Sequence, residues 1–111
     1  MTMNLADYHA AAMRTKADYA TPNDQLLCAV LGLVGESGEL AEVLKKAKYQ
    51  GHDLSTDKLV NELGDVLWYW HLAVDAIEYI SPDTVATMNI EKLRARYPEG
   101  FDSERSRERG S

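Results

Sequence analysis

Gly32-Leu33-Val34-Gly35-Glu36-Ser37-Gly38-Glu39-Leu40-Ala41 and Val60-Asn61-Glu62-Leu63-Gly64-Asp65-Val66-Leu67-Trp68 carry two acidic pairs of one spacing, each set in strongly apolar sequence. Apolar residues recurring every three or four positions read as helix. A three-residue step goes about 60° round and about 4.5 Å along an α-helix, so Glu36 and Glu39 share one face, as do Glu62 and Asp65. Side by side, two such helices bring four carboxylates into a small volume. Two unit charges of one sign about 5 Å apart repel by roughly 3 kcal/mol at an effective dielectric of 20, and burial adds a desolvation cost. A fold gains nothing from that arrangement unless a cation sits at its centre. The all-oxygen ligand set suits a hard divalent ion, Mg²⁺ or Mn²⁺. The plainer alternative is ordinary solvated acids on outer helix faces. Two identical spacings flanked by Leu, Val and Trp weigh against it.

Outward from these stretches the chain reads as helix almost throughout. A first helix is predicted from about Asn4 to Tyr19. Thr21-Pro22 is a start signal, a capping hydroxyl followed by proline at the first helical position. The helix it opens should run to about Gln50 and stop at Gly51, with Lys45, Lys46 and Lys48 at the negative end of its dipole. Ser55 or Thr56 caps a third helix, predicted to reach about Ile80. Ser81-Pro82 opens a fourth, closed by Pro98 after Tyr97. Gly32, Gly35 and Gly38 cost roughly 1 kcal/mol each inside a helix. They make either a smooth strip for the close approach of a backbone or ligand, or a break near Gly35. The fold class is therefore all-α, a four-helix, bundle-like subunit with two long central helices. From Val66 to Ile77 only His71 and Asp75 are clearly polar, and a helix apolar nearly all round must be covered on most sides. A homodimer or homotetramer is expected to cover it.

The chain has 111 residues, which make one domain, with residues 1–101 folded and residues 102–111 a mobile polar tail. Its 45% hydrophobic content argues against general disorder. No apolar run is long enough to span a bilayer, and the first residues lack the basic-then-apolar pattern of a signal peptide. The one cysteine, Cys28, forms no internal disulfide, which favours a reducing, cytoplasmic setting. A net charge of −6 disfavours a nucleic-acid polymer or an anionic membrane as partner.

The acidic face has candidate companions. Tyr69 lies four residues beyond Asp65, and Lys46 lies seven beyond Glu39 on the same face two turns later. A cation cluster flanked by a phenol and an ammonium is a reasonable receptor for polyphosphate. Asn89, Lys92 and Arg96 share one face near the end of the fourth helix, where three donors suit phosphate or sugar, or simply a solvated basic face.

Taken together, Gly35-Glu36-Ser37-Gly38-Glu39-Leu40-Ala41-Glu42, Glu62-Leu63-Gly64-Asp65-Val66-Leu67-Trp68 and Asn89-Ile90-Glu91-Lys92-Leu93-Arg94-Ala95-Arg96-Tyr97-Pro98 resemble the MazG-type nucleotide pyrophosphohydrolases, of the all-α NTP pyrophosphatase superfamily. The likeness spans about residues 20–101 and is strongest to the short, single-domain members. It implies Mg²⁺-dependent hydrolysis of a nucleoside triphosphate to the monophosphate and pyrophosphate, with water, activated by metal, attacking the α-phosphorus. It further implies Glu36, Glu39, Glu62 and Asp65 as catalytic metal ligands, Tyr69, Lys92 and Arg96 as phosphate contacts, and Asn89 as a nucleotide contact. A di-iron bundle would need Glu-x-x-His pairs, and none of His9, His52 or His71 stands three residues after a Glu. The remaining alternative is a helical nucleotide-binding or interaction module that binds without turnover.

Overall fold

Hydroxyl and amide caps set every helix start in the computed structural model, which describes residues 2–101 and residue 104. Helix α1 spans Leu5–Met13, α2 Pro22–Tyr49, α3 Thr56–Asp75 and α4 Pro82–Arg96. Asn4, Thr21, Ser55 and Ser81 each accept from a backbone amide three residues on, and Pro22 and Pro82 occupy the first helical position. Among the described residues there is no strand. The expected mobile tail, residues 102–111, lies outside the described residues except for Glu104.

Two helices are shorter than the sequence predicts. Thr15 ends α1, its amide and hydroxyl both turning back to the Ala12 carbonyl at 3.0 and 2.6 Å. The Trp68 indole donates to the same hydroxyl at 2.9 Å, tying this end of α1 to α3. Helix α3 stops at Asp75 rather than near Ile80. The Ala76 and Ile77 amides reach back only three residues, to Ala73 and Val74, and Tyr79 adopts the left-handed conformation (φ 64°). A tyrosine there gives no sequence warning, because that region normally favours glycine. At the far end of α2 the warning is plain. Gly51 has φ 69°, and the Gln50 and His52 amides both return to the Lys46 carbonyl.

The 28-residue α2 is unbroken at Gly35. It packs along α3, α1 lies across α3, and α4 rests on α1. The glycine strip receives a neighbour at one position only. A side chain at Gly32 would drive into the Tyr69 ring, whereas Gly35, Gly38 and Gly64 face open space. Gly32 thus lets α2 and α3 close up one helical turn before Glu36.

The interior of the single chain is small. Ala12, Ala29, Leu72 and Val74 are buried, with Gln25 and His71 among them. Leu27, Leu31 and Val34 on α2 remain 61–66% exposed, and Val60 and Leu63 on α3 remain 62% and 53% exposed. The radius of gyration is 17.2 Å, against about 13 Å for a compact chain of this length. No helix among the described residues is long and apolar enough to cross a membrane.

Candidate metal centre

Where α2 and α3 run together, their acidic faces meet. Glu36, Glu62 and Asp65 each present a carboxylate oxygen within 4.8 Å of the others. Glu36 and Glu62 are half-buried, and Asp65 opens to solvent. One oxygen of Glu36 and one of Glu62, both Oε2, are shielded from water and have no hydrogen-bond partner. Buried carboxylate oxygens without partners are rare, because each forfeits its hydration with nothing in return.

No ion pair of the described residues places a positive charge on them. Among the described residues the ion pairs lie elsewhere, Lys16 and His9 on Asp75 and Lys45 on Glu42. Burial first, and then the charges of Glu39, Asp65 and Glu62, push the Glu36 carboxyl above the ordinary carboxylate range. That direction is the signature of acids gathered without a counter-charge. The donor chemistry, three or four hard oxygens with two of them orphaned, fits a small divalent cation.

Glu39 flanks the trio through Glu36, whose carboxyl it contacts. It is exposed on α2, beside Glu36, and contributes the largest of the charges acting on Glu36. Tyr69 projects one turn beyond Asp65, its ring against Gly32 and edge-on to Trp68 at 5.1 Å. It therefore closes the α2–α3 seam at one end of the acidic cluster. Lys46 is exposed near the end of α2, about 10 Å along the axis from Glu39. Asn89 and Lys92 are exposed on α4, which rests on α1 rather than along the α2–α3 seam. Among the described residues no hydrogen bond or ion pair joins Lys46, Asn89 or Lys92 to the four acids. Arg96, near the end of α4, is half-buried.

Sequence reasoning missed Tyr8. Its ring packs edge-on against His71 with centroids 4.8 Å apart, and its phenol feels the charge of Asp65. Burial, and then that charge, push the phenol above its usual value. The signal that pointed here was His71 itself, a polar residue in an apolar run that needed a partner from another element.

Comparison with known proteins adds a family. The MazG nucleotide pyrophosphohydrolase domain matches residues 25–101, which include all four acids and the whole of α4. The Gene 37 protein of Mycobacterium phage L5 is 36% identical over 74 residues, covering 63% of this chain. The chain spans 64% of that phage protein's length. No solved structure matches.

Proposed function

The chain belongs to the MazG nucleotide pyrophosphohydrolase domain family, and from that membership we propose that it hydrolyses a nucleoside or deoxynucleoside triphosphate to the monophosphate and pyrophosphate. The observation that carries the reading is the convergence of Glu36, Glu62 and Asp65 with two orphaned, shielded oxygens.

Glu36, Glu62 and Asp65 would hold Mg²⁺ or Mn²⁺, with Glu39 at the edge of the set. When bound, the ion supplies Lewis-acid charge that activates water and offsets the phosphate oxygens. Water adds to the α-phosphorus, the bond from that phosphorus to the bridging oxygen breaks, and pyrophosphate leaves with the bond's electron pair. Glu39, open to solvent and outside the close trio, accepts the proton that the water gives up. Tyr69 closes the end of the seam, and Lys46, Asn89, Lys92 and Arg96 provide donors for phosphate and nucleoside. Among the described residues, Lys46, Asn89 and Lys92 make no hydrogen bond or ion pair with the cluster of their own chain. Their service therefore fits an assembled homodimer or homotetramer better than a lone subunit, as do the exposed apolar faces of α2 and α3. A reducing, cytoplasmic setting suits the unpaired Cys28.

The test is a panel of ribo- and deoxyribonucleoside triphosphates incubated with the protein and Mg²⁺, the products separated by ion-exchange chromatography. Monophosphate and pyrophosphate in equal amounts are expected, abolished by chelator. Orthophosphate as product would refute attack at the α-phosphorus. Saturable binding with no turnover of any triphosphate would replace the enzyme with a binding module.

A further inference from the structure

His71 lies on α3 with no solvent exposure, and its ring is used by nothing in the proposed reaction. Its Nδ1 meets Nδ1 of His9, from α1, at 2.9 Å. Two ring nitrogens so close require one proton between them, one nitrogen donating and the other accepting. The other nitrogen of His9, Nε2, faces Asp75 Oδ1 at 3.5 Å. Asp75 is itself held from two further directions, by Lys16 Nζ at 2.6 Å and by Gln25 Nε2 at 2.9 Å. Gln25 also donates to the Leu72 carbonyl and accepts from Lys16, so α2, α3 and the segment after α1 are fastened at one point. A cleft of about 610 Å³ opens beside this knot, with Glu78 and Tyr19 on its wall.

We propose that the His9–His71 pair is a proton-sensitive latch, which clamps α1 onto α3 beside the acidic cluster while His71 is neutral and releases α1 when the pair takes up a second proton. A proton on His71 Nδ1 in addition to the one already shared with His9 Nδ1 turns N–H against N–H and leaves a charge where no solvent reaches. His71 Nε2 is shielded and has no partner, so nothing on its far side stabilises an imidazolium.

The charges around the pair agree. Burial, and secondarily the charge of His9, push the His71 imidazole below its ordinary value. Burial acts to raise Asp75, but hydrogen bonds from Lys16 and Gln25 and the charges of Lys16 and His9 outweigh it and hold that carboxyl low. Asp75 therefore stays ionised in mildly acidic solution, and the response belongs to the imidazoles. From α1 the facing groups are His9 and the Tyr8 phenol, and from α3 Asp75 and the Trp70 ring, 4.7 Å away. A histidine whose folded value is depressed contributes stability that is complete above about pH 6.5 and is lost as pH falls below it. Release of α1 carries Tyr8 away from Asp65 and uncovers that side of the cluster.

Hydrogen exchange of the α1 amides in the full chain, with chelator present and rates corrected for intrinsic pH dependence, tests the latch. Between pH 7.5 and 5.5 the opening equilibrium of α1 should rise by up to about tenfold per pH unit below about 6.5. His71→Asn keeps a polar group at the δ position but cannot titrate, and its α1 protection should be flat across the range. Equal protection of the parent protein at both ends, or the same acid loss in His71→Asn, overturns the latch. If that variant fails to fold by circular dichroism, NMR of the parent decides. The His71 ring resonance should titrate together with the α1 amides, and titration without any movement of those amides overturns it.

Discussion

Glu36 is the residue on which the acidic cluster bears hardest, since its carboxyl is half-buried and three other acids lie around it. Because its folded value is raised, the folded chain holds a proton that the unfolded chain has released. Stability is therefore lost as pH climbs from the unfolded value to the folded one. Glu36→Gln keeps the shape and removes the charge. In chelator at pH 7.5 the variant should melt above the parent, and the gap should close as pH falls into the range where both states are protonated. Mg²⁺ should raise the melting temperature of the parent and leave the variant nearly unmoved. Turnover should drop by more than about 100-fold, beyond what loss of an outer-sphere partner of a metal site costs. Calorimetry from pH 4 to 8, with and without Mg²⁺, measures all but the last. A parent that melts above the variant without metal would show that the acids are not under mutual repulsion. The convergence of Glu36, Glu62 and Asp65 could be anticipated from sequence because their placement is written in local spacing. Tyr8 and the His9–His71 pair could not, since a separation of 62 residues says nothing about which partner a buried imidazole finds.

Helix starts were readable and helix ends only partly so. A start is fixed by a side chain reaching three residues along its own strand of sequence, as Thr21, Ser55 and Ser81 do, and Pro22 and Pro82 mark it further. The end of α2 was equally plain because Gly51 takes a left-handed conformation. The end of α1 depends on a tertiary partner, Trp68 on the Thr15 hydroxyl, and that of α3 on a left-handed tyrosine, Tyr79, which gives no glycine signal. The glycines of α2 show the same division. Periodicity placed them on one helix, but only packing distinguishes Gly32, filled by Tyr69, from Gly35, which meets nothing. Gly32→Ala should destabilise the chain by about 1–3 kcal/mol through overpacking at the α2–α3 seam. Gly35→Ala should stabilise it by up to about 1 kcal/mol, the ordinary helical preference for alanine. Urea melts of both variants check the pair of signs, and Tyr69→Leu should relieve the first variant alone. Equal effects at the two positions would mean that the Tyr69 ring does not lie against α2.

At the scale of the whole molecule, the subunit leaves exposed what a stable fold normally covers. Leu27, Val30, Leu31 and Val34 recur at three- and four-residue steps on α2, and Val60, Leu63 and Leu67 do so on α3, all exposed. Two such stripes on neighbouring helices exceed the scattered apolar residues usual on a monomer's surface, and each fully covered Leu or Val contributes roughly 1.5–3 kcal/mol. Association of copies would cover both stripes at once, because a two-fold operator presents the same patch from each side. Leu31, at the middle of the α2 stripe and 64% exposed, has little to do with the subunit's own interior. Leu31→Glu should therefore leave helicity intact while placing a charge in the covered interface. Sedimentation equilibrium should find the parent at two or four times 12.4 kDa and the variant shifted towards the single-chain mass. If triphosphate turnover falls in step with dissociation, while Mg²⁺ still raises the melting temperature of the dissociated chain, assembly serves substrate binding rather than the metal centre. A parent that sediments as a single chain would leave both stripes in water, and the covering role argued for a second copy would be gone.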